Sequence, residues 1–411
     1  MKYNLNHCKS CSSSNVIQVL DLGIQPLANN LLPAGGVPDG TEPAYPLRLA
    51  VCLDCYLMQL LDIVPPVKMF SEYLYFSSFS DALLKHSQAA VEKHIEEFSL
   101  EKASLVVEIA SNDGYLLQYF TAKNIPALGI EPAENIAVEA RKKEIETIVE
   151  FFTCELAKSL ALSGKKADLI LGNNVFAHVP DTNDFVAGLA ELLKKGGRAV
   201  LEFPWGHEMI QKLEFDTIYH EHVFCFSLTP LVPLFERHGM EIFHVERLPI
   251  HGGSLRLYAG HKGCQPVRES VALMLGKEEA EGIKTQEYYE KFREGVESLR
   301  IELMDLLTSL KTDKKSIAAY GASAKGSTLL NYCKIGTEIL DFIVDRSTYK
   351  QGLLSPGMHI PILPPEALLN RQPDYALLLT WNFAEEILKQ QELYRKNGGK
   401  FIVPVPKPTV V

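Results

Sequence analysis

A short apolar run passes directly into a small, polar turn at Val106-Val107-Glu108-Ile109-Ala110-Ser111-Asn112-Asp113-Gly114. A strand that leads into such a glycine-containing turn is typical of nucleotide-type sites in α/β domains. A second predicted strand, Leu128-Gly129-Ile130-Glu131-Pro132, follows one helix later and ends in an acid that fits a ribose diol. The two stretches together predict an α/β domain with a cofactor site.

The chemistry of the first turn favours a cationic cofactor. The turn lacks the three spaced glycines of dinucleotide folds, and Asp113 stands where a pyrophosphate would need uncharged backbone. Glu108 and Asp113 would instead attract a sulfonium and an amino group. We therefore predict S-adenosylmethionine rather than a dinucleotide. The residues assigned to its site are Ser78, His86, Glu108, Ala110, Asn112, Asp113, Gly114, Glu131, Pro132, Asn173 and Asn174.

The bulk composition limits the function classes. The chain has 411 residues, enough for several domains, and a formal net charge of −10 without a long Lys/Arg block. This argues against a nucleic-acid-binding or membrane-binding surface and favours a small ligand. No apolar run reaches the length of a membrane span, and residues 1–6 contain no apolar signal core. We expect a cytoplasmic protein.

Four of the eight cysteines form two Cys-x-x-Cys pairs, Cys8 with Cys11 and Cys52 with Cys55. Paired knuckles of this spacing can present four thiolates to one Zn²⁺ ion. His7 is an alternative ligand, and a redox pair or incidental cysteines are the rival interpretations. Because four thiolates fill the coordination sphere, we predict a structural rather than a catalytic zinc site.

Alternating apolar and helical patterns from residue 105 onward predict a doubly wound sheet. An aromatic link, residues 69–79, precedes it and either folds over the cofactor or packs between domains, and a helix is expected over 83–98. One strand ends in Asn173, Asn174 and His178, at the edge where α/β sheets bind ligands. The expected strands lie near Leu105, Ala127, Ile148, Asp168, Arg198, Glu241 and Leu255.

A second α/β unit begins at residues 316–327, after a largely helical connector over 267–310. Gly321 and Gly326 permit close backbone approach, the following helix presents free N–H groups, and Lys325 supplies a cation. This turn suits phosphates, and a purely structural turn is the alternative. Strands near Leu340, Tyr375 and Lys400 complete the predicted unit, and Asp345 closes its second strand.

The densest set of reactive groups is Tyr219-His220-Glu221-His222. In an extended stretch, Tyr219 and Glu221 would share one face and the two histidines the other. Imidazoles beside a phenol and a carboxylate favour proton transfer, and a metal site is the weaker alternative because no His-x-x-x-His spacing is present. We expect His178 and the turn that begins at His251 to complete the pocket, although either histidine alone could be structural.

The order of these motifs resembles the sugar C-methyltransferases of deoxysugar biosynthesis, over nearly the full length of the chain. The resemblance implies a small N-terminal zinc-binding domain (1–68), a central Rossmann-like class I methyltransferase domain (69–262) and a C-terminal Rossmann-like α/β domain that binds a nucleotide sugar (263–411). Two other classes stay open: a nucleotide-sugar reductase or dehydratase, and a non-catalytic zinc-bearing scaffold. We expect a monomer.

The resemblance also implies a substrate and a mechanism. The substrate would be a 4-keto-deoxysugar linked to dTDP, GDP or CDP, and a base would remove the C-3 hydrogen to form an enolate that attacks the sulfonium methyl. By this analogy His222 is the base, Tyr219, Glu221 and His178 orient it or stabilise the enolate oxygen, and Tyr73 or Tyr75 closes over the reacting groups. The residues assigned to the substrate are His220, His251, Gly321, Ser323 and Lys325.

Overall fold

The computed structural model describes residues 3–4, 7–36, 41–70, 76–79 and 81–411. The first part of the chain forms an antiparallel sheet in which β4 pairs with both β2 and β5. Strands β1 and β6 form a separate two-stranded antiparallel sheet. Its elements are β1 (Tyr3–Asn4), β2 (Val16–Pro26), β3 (Leu32–Pro33), β4 (Ala44–Cys52), β5 (Met58–Leu60), β6 (Asp62–Ile63) and the short helix α1 (Val67–Phe70).

The central part is a seven-stranded sheet that begins after helix α2 (Asp81–Phe98). Its strands are β7 (Val106–Ile109), β8 (Ala127–Ile130), β9 (Glu146–Ile148), β10 (Ala167–Asn173), β11 (Leu193–Pro204), β13 (Met240–Leu248) and β14 (Ser254–His261). The order is β13-β14-β11-β10-β7-β8-β9, and β14 runs antiparallel to both of its neighbours. The seven strands predicted from the sequence are confirmed, as is the helix expected over 83–98. The remaining short strand, β12 (Phe224–Cys225), pairs instead with β5 of the first sheet.

The strand order places a crevice at the carboxyl end of β7. This strand is wholly buried, and all its residues except Glu108 are apolar. It pairs with β8 on one side and with β10 on the other, so the connections that leave β7 and β10 run in opposite directions there. Open α/β sheets bind their ligands at such a switch point. The helices of this part and of the connector are α3 (Gln118–Thr121), α4 (Glu134–Lys142), α5 (Cys154–Leu162), α6 (Thr182–Leu192), α7 (Gly206–Gln211), α8 (Leu228–Arg237), α9 (Glu269–Ala280) and α10 (Gln286–Thr312).

The last part of the chain forms a second, mostly parallel sheet of order β18-β16-β15-β19-β20-β21. The strands of this sheet are β15 (Ile317–Tyr320), β16 (Ile343–Val344), β18 (Ile362–Leu363), β19 (Tyr375–Leu378), β20 (Lys400–Val403) and β21 (Thr409–Val410). The remaining strand of this part, β17 (Leu353–Leu354), lies outside the sheet. Its helices are α11 (Ala324–Cys333), α12 (Glu366–Arg371), α13 (Ala384–Gln390) and α14 (Glu392–Lys396). The predicted second α/β unit is confirmed, and β17, β18 and β21 are additions that the sequence pattern did not indicate.

The three parts are joined by pairing as well as by the chain. Strand β3 pairs with β17, β12 completes the first sheet, and α11 packs on the 3₁₀ helix Phe215–Thr217 of the central part. The fold class is therefore as predicted, whereas the domain limits 1–68, 69–262 and 263–411 stay predictions. Among the described residues, no helix is both long and apolar enough to span a membrane.

Candidate active site

The four cysteines of the two knuckles converge at one point. Their Sγ atoms all lie within 4.8 Å of one another, with 3.5 Å between Cys8 and Cys55 and 3.6 Å between Cys11 and Cys52. Four sulfur atoms at this spacing can surround one tetrahedral Zn²⁺ ion. None of the four lines the large cavity described next, so the cluster fits a structural zinc site.

A cavity of about 900 Å³ lies between the central sheet and the C-terminal sheet. Its lining combines residues from the turn after β7, from the Tyr-His-Glu-His run and from the second α/β unit. The predicted site residues that line it are Ala110, Asn112, Glu131, Asn173, Asn174, His178, Tyr219, Glu221, His222, Gly321, Ser323 and Lys325. The structure thus brings together residues that lie more than 200 positions apart in the chain.

One end of the cavity is formed by the turn after β7. Ala110 and Asn112 adopt left-handed backbone angles, with φ of 53° and 49°, which makes the turn tight. Glu131, which follows β8, is buried and accepts hydrogen bonds from the backbone N–H groups of Asn112 and Ala133, each at 3.0 Å. Burial raises the pKa of this carboxyl group. A buried carboxylate that faces the cavity beside a tight turn fits the ribose of S-adenosylmethionine.

Glu108, Asp113, Gly114 and Pro132 do not line the cavity. Glu108 is fully buried, and burial together with the nearby Glu131 and Asp113 carboxylates raises its pKa well above the usual range. The Asp113 carboxylate lies 3.5 Å from the Lys143 ammonium. These two acids, which we predicted to attract the cofactor directly, are buried and do not line the cavity, so direct contact with the cofactor stays a prediction.

The remaining residues assigned to the cofactor lie near the cavity without lining it. The Ser77 backbone N–H donates to Asn112 Oδ1 at 2.9 Å, and Ser77 and Phe79 line the cavity, whereas Ser78 between them does not. The His86 imidazole lies 3.0 Å from a Glu202 carboxylate oxygen and 3.2 Å from an Arg256 nitrogen, and none of these three residues lines the cavity. The segment next to Ser78 thus borders the cavity through Ser77 and Phe79, and cofactor binding by Ser78 and His86 stays a prediction.

The Tyr-His-Glu-His run is a turn, and this places its side chains differently from an extended strand. The His222 backbone N–H donates to the Tyr219 carbonyl at 2.8 Å, and the Tyr219 hydroxyl lies 2.8 Å from His222 Nε2. His222 Nδ1 lies 2.7 Å from the Thr217 carbonyl oxygen. Because a carbonyl oxygen only accepts, Nδ1 carries the proton, and Nε2 accepts from the Tyr219 hydroxyl.

Glu221 and His178 complete this cluster. Glu221 is buried and accepts a 2.6 Å hydrogen bond from Asn29 Nδ2, so the first part of the chain reaches the cavity. The His178 ring lies 5.0 Å from the His222 ring, and burial lowers the pKa of His178 to about 4. His178 is therefore neutral at physiological pH and cannot repel a protonated His222.

His220 is the member of the run that the structure separates from the site. Its side chain is buried against the first sheet, with Nε2 3.3 Å from the carbonyl oxygens of Tyr45 and Pro46, and burial lowers its pKa. The turn directs the His220 side chain away from those of its neighbours. Contrary to the prediction, His220 does not line the cavity. Tyr73 and Tyr75 lie outside the described residues, as does the side chain of His251.

The other end of the cavity is the turn after β15. Gly321 has a φ of 93°, and the Ser323 hydroxyl accepts from the Gly326 N–H at 3.0 Å, which caps α11. The Lys325 ammonium lies 4.7 Å from the centre of the Trp381 ring and 3.9 Å from a Glu214 oxygen. The Ser323 hydroxyl also donates to the Leu379 carbonyl at 3.1 Å, so the Lys325 ammonium supplies the positive charge that an anionic group requires at this turn.

Several lining residues were missed by the sequence analysis. The sequence analysis did not single out Asn29, Thr217, Arg346 or Lys350. Thr217 ends the 3₁₀ helix Phe215–Thr217, and the other three lie in loops outside any predicted motif. The acid at Asp345 was identified only as the end of a strand. It accepts hydrogen bonds from the N–H groups of Ala322 (2.7 Å) and Ser347 (2.8 Å) and lines the cavity.

Three family models match successive parts of the chain. A zinc binding domain matches residues 8–70, a methyltransferase domain residues 83–245, and a C-methyltransferase C-terminal domain residues 249–406. C-methyltransferase NovU of Streptomyces niveus is 37% identical over 409 residues, which cover 99% of this chain and 97% of NovU. The chain belongs to this family of C-methyltransferases.

Solved structures of two other methyltransferases each match less than half of this chain. Magnesium protoporphyrin IX methyltransferase ChlM of Synechocystis with bound SAH is 15% identical, with a TM-score of 0.35, over 44% of this chain and 83% of that one. An S-adenosylmethionine-dependent methyltransferase of Clostridium acetobutylicum is 10% identical, with a TM-score of 0.35, over 44% and 92%.

Membership of the C-methyltransferase family decides between the function classes left open by the sequence. The protein is an S-adenosylmethionine-dependent C-methyltransferase with a zinc-binding N-terminal domain. The predictions of both cofactors are confirmed. The reductase or dehydratase and the non-catalytic scaffold are not supported.

Proposed function

We propose that this C-methyltransferase methylates C-3 of a nucleotide-linked 4-keto-deoxysugar in deoxysugar biosynthesis. The observation that carries the proposal is the position of the Tyr219–His222 pair, in one cavity with Glu131 at its cofactor end and Lys325 at its anion-binding end. A substrate with an acidic C–H bond next to a ketone and a distant phosphate matches this arrangement. Because all these groups come from a single chain, we also propose a monomer.

His222 is the base in this proposal. Thr217 holds Nδ1 as the proton donor, which leaves Nε2 to accept the C-3 proton of the substrate. The Tyr219 hydroxyl, 2.8 Å away, leaves Nε2 and donates to the C-4 oxygen as the enolate forms. Bound S-adenosylmethionine supplies an electrophilic methyl group. Glu221 is in the same turn and, held by Asn29, restricts the orientation of the pair.

The nucleotide is proposed to bind at the second α/β unit. Its diphosphate would contact the Ser323 hydroxyl and the Lys325 ammonium, and Arg346, whose side chain is largely exposed, adds a further cation on the same wall. The cofactor end presents Glu131 instead, so the two ligands would meet opposite charges. This separation orients the sugar ring toward His222 and S-adenosylmethionine together.

The test uses methyl-labelled S-adenosylmethionine and a panel of dTDP-, GDP- and CDP-linked 4-keto-deoxysugars. We expect label on C-3 of at least one sugar by mass spectrometry and carbon NMR, with loss of the original C-3 proton. His222→Asn serves as the matched control and should bind both ligands without transferring label. Label on an oxygen, or no transfer to any member of the panel while S-adenosylmethionine binds, would contradict the proposed substrate class.

A further inference from the structure

A side-chain hydrogen bond joins the C-terminal part to the short helix that precedes the Tyr-His-Glu-His turn. The Trp381 indole N–H donates to Asp216 Oδ2 at 2.6 Å, and Asp216 is fully buried. The Trp381 ring also lies 4.7 Å from the Lys325 ammonium, and Lys325 lines the cavity. An indole N–H bonded to a buried carboxyl group is a directional contact that fixes the position of both partners.

Asp216 lies in the short helix that holds the catalytic histidine. The 3₁₀ helix Phe215–Thr217 ends at the residue whose carbonyl oxygen accepts from His222 Nδ1 at 2.7 Å. The same short helix packs on α11, and the Phe215 ring lies 5.2 Å from the Tyr332 ring of that helix. The C-terminal part therefore holds this segment from two sides.

We propose that Trp381 is a positioning residue for the base: its bond to Asp216 fixes the Thr217 carbonyl and, through it, the orientation of His222. This inference rests on the proposed role of His222. Trp381 does not need to touch the reacting atoms. A displaced Thr217 carbonyl would let the imidazole rotate, so Nε2 would no longer face the substrate, and the proton transfer would slow.

The position of Trp381 also connects substrate binding to the base. Its neighbours Thr380, Asn382 and Phe383 line the cavity on the wall that is proposed to bind the nucleotide. A substrate that orders these residues would also order the Trp381–Asp216 bond. The enzyme would then hold its base in the reactive orientation most firmly when the nucleotide sugar is present.

The chain has two tryptophans, and both donate their indole N–H to a buried carboxylate, which provides a matched control. Trp205 donates to Glu278 at 2.8 Å, in a contact that has no link to Thr217. Trp381→Phe keeps an aromatic ring for Lys325 but removes the donor. We expect kcat to fall about tenfold because the imidazole is less well oriented, with KM for the nucleotide sugar changed by less than about threefold. Trp205→Phe should retain kcat, whatever it does to the melting temperature.

A second readout does not require turnover. In protein labelled with ¹⁵N-histidine, the hydrogen-bonded Nδ1–H of His222, assigned with the His222→Asn variant, should be visible in the wild type and in Trp205→Phe. It should broaden or disappear in Trp381→Phe. Asp216→Asn retains an oxygen acceptor for the indole N–H, so this variant should keep the His222 signal and most of the wild-type kcat. Asp216→Ala removes the acceptor and should behave like Trp381→Phe.

The outcomes separate this inference from the proposed function. A Trp381→Phe enzyme with unchanged kcat and an unchanged His222 signal would overturn the positioning role. A fall in kcat that Trp205→Phe reproduces would also overturn it, since the effect would then be general destabilisation. If the His222 signal responds as expected but wild-type enzyme methylates no 4-keto-deoxysugar, the proposed substrate fails while the positioning geometry holds.

Discussion

The two α/β units of the molecule use the same backbone device for opposite ligands. In the central unit, Glu131 follows the second strand and accepts the N–H of Asn112 in the turn after the first strand. In the C-terminal unit, Asp345 follows the second strand and accepts the N–H of Ala322 in the equivalent turn. Each acid also accepts the N–H of the residue two positions later. The backbone pattern alone therefore does not determine what is bound.

The difference between the units lies in the side chains that surround each turn. The cavity wall of the C-terminal unit contains three cations, Lys325, Arg346 and Lys350, among the described residues. At the central turn the nearby Lys143 is directed to Asp113, away from the cavity. An acid with no facing cation suits the cationic cofactor, and the cationic wall suits a diphosphate. The charge around the turn assigns the ligand.

The largest expected effect on kcat comes from replacing His222, which lies between the two units. His222→Asn keeps a similar size but removes the base, so kcat should fall by roughly 10²- to 10⁴-fold. Calorimetry should show nearly unchanged affinity for S-adenosylhomocysteine and for the nucleoside diphosphate, because neither unit is altered. A variant that loses affinity for either ligand would show that His222 belongs to one of the binding sites.

Removing the charge of each acid in turn tests the comparison of the two units directly. Glu131→Gln should weaken S-adenosylhomocysteine binding by about 10- to 100-fold, since one bond to a buried charged group is worth about 1.5–3 kcal/mol. Asp345→Asn should leave that affinity unchanged and weaken binding of the nucleoside diphosphate instead, because Asp345 holds the turn through the N–H groups of Ala322 and Ser347. Titration calorimetry of both variants with both ligands measures the four values. If either variant lost affinity equally for both ligands, the assignment of one ligand to each unit would be refuted.

The cation of the second unit should have a smaller effect. Lys325→Met removes a charge near the proposed diphosphate and should weaken nucleotide binding about 5- to 10-fold at low salt. The loss should shrink as ionic strength rises, and S-adenosylhomocysteine binding should not change. Loss of nucleotide affinity that is independent of salt would indicate a packing role for the Lys325 stem over Trp381.

The smallest effect depends on pH. Burial raises the pKa of Glu214, which lies 3.9 Å from Lys325, to about 7, so this carboxyl group is mostly neutral at pH 6 and mostly charged at pH 8. Glu214→Gln should therefore strengthen nucleotide binding about twofold at pH 8 and little at pH 6. Because the folded-state pKa is raised above the ordinary value of 4.5, the destabilisation by Glu214 grows as pH rises from about 4.5 to about 7 and is constant above that, so the gain in melting temperature of the variant should grow over the same range and level off by pH 8. The opposite pH dependence would contradict the assignment.

Both units were predictable from the sequence because a strand, a small turn and an acid one helix later are local patterns. The zinc cluster was predictable for the same reason. Side-chain orientation was not: Glu108 and Asp113 were predicted to face the cofactor, but both are buried and neither lines the cavity. Asn29 reaches Glu221 from 192 positions away, and such a contact arises only when the three parts of the chain pack together.

A crystal structure with S-adenosylhomocysteine and a nucleoside diphosphate tests the central claim most directly. We expect the adenosine ribose beside Glu131, the diphosphate at Ser323 and Lys325, and the Tyr219–His222 pair between the two ligands. Both ligands at one unit, or a nucleotide bound outside this cavity, would contradict the account.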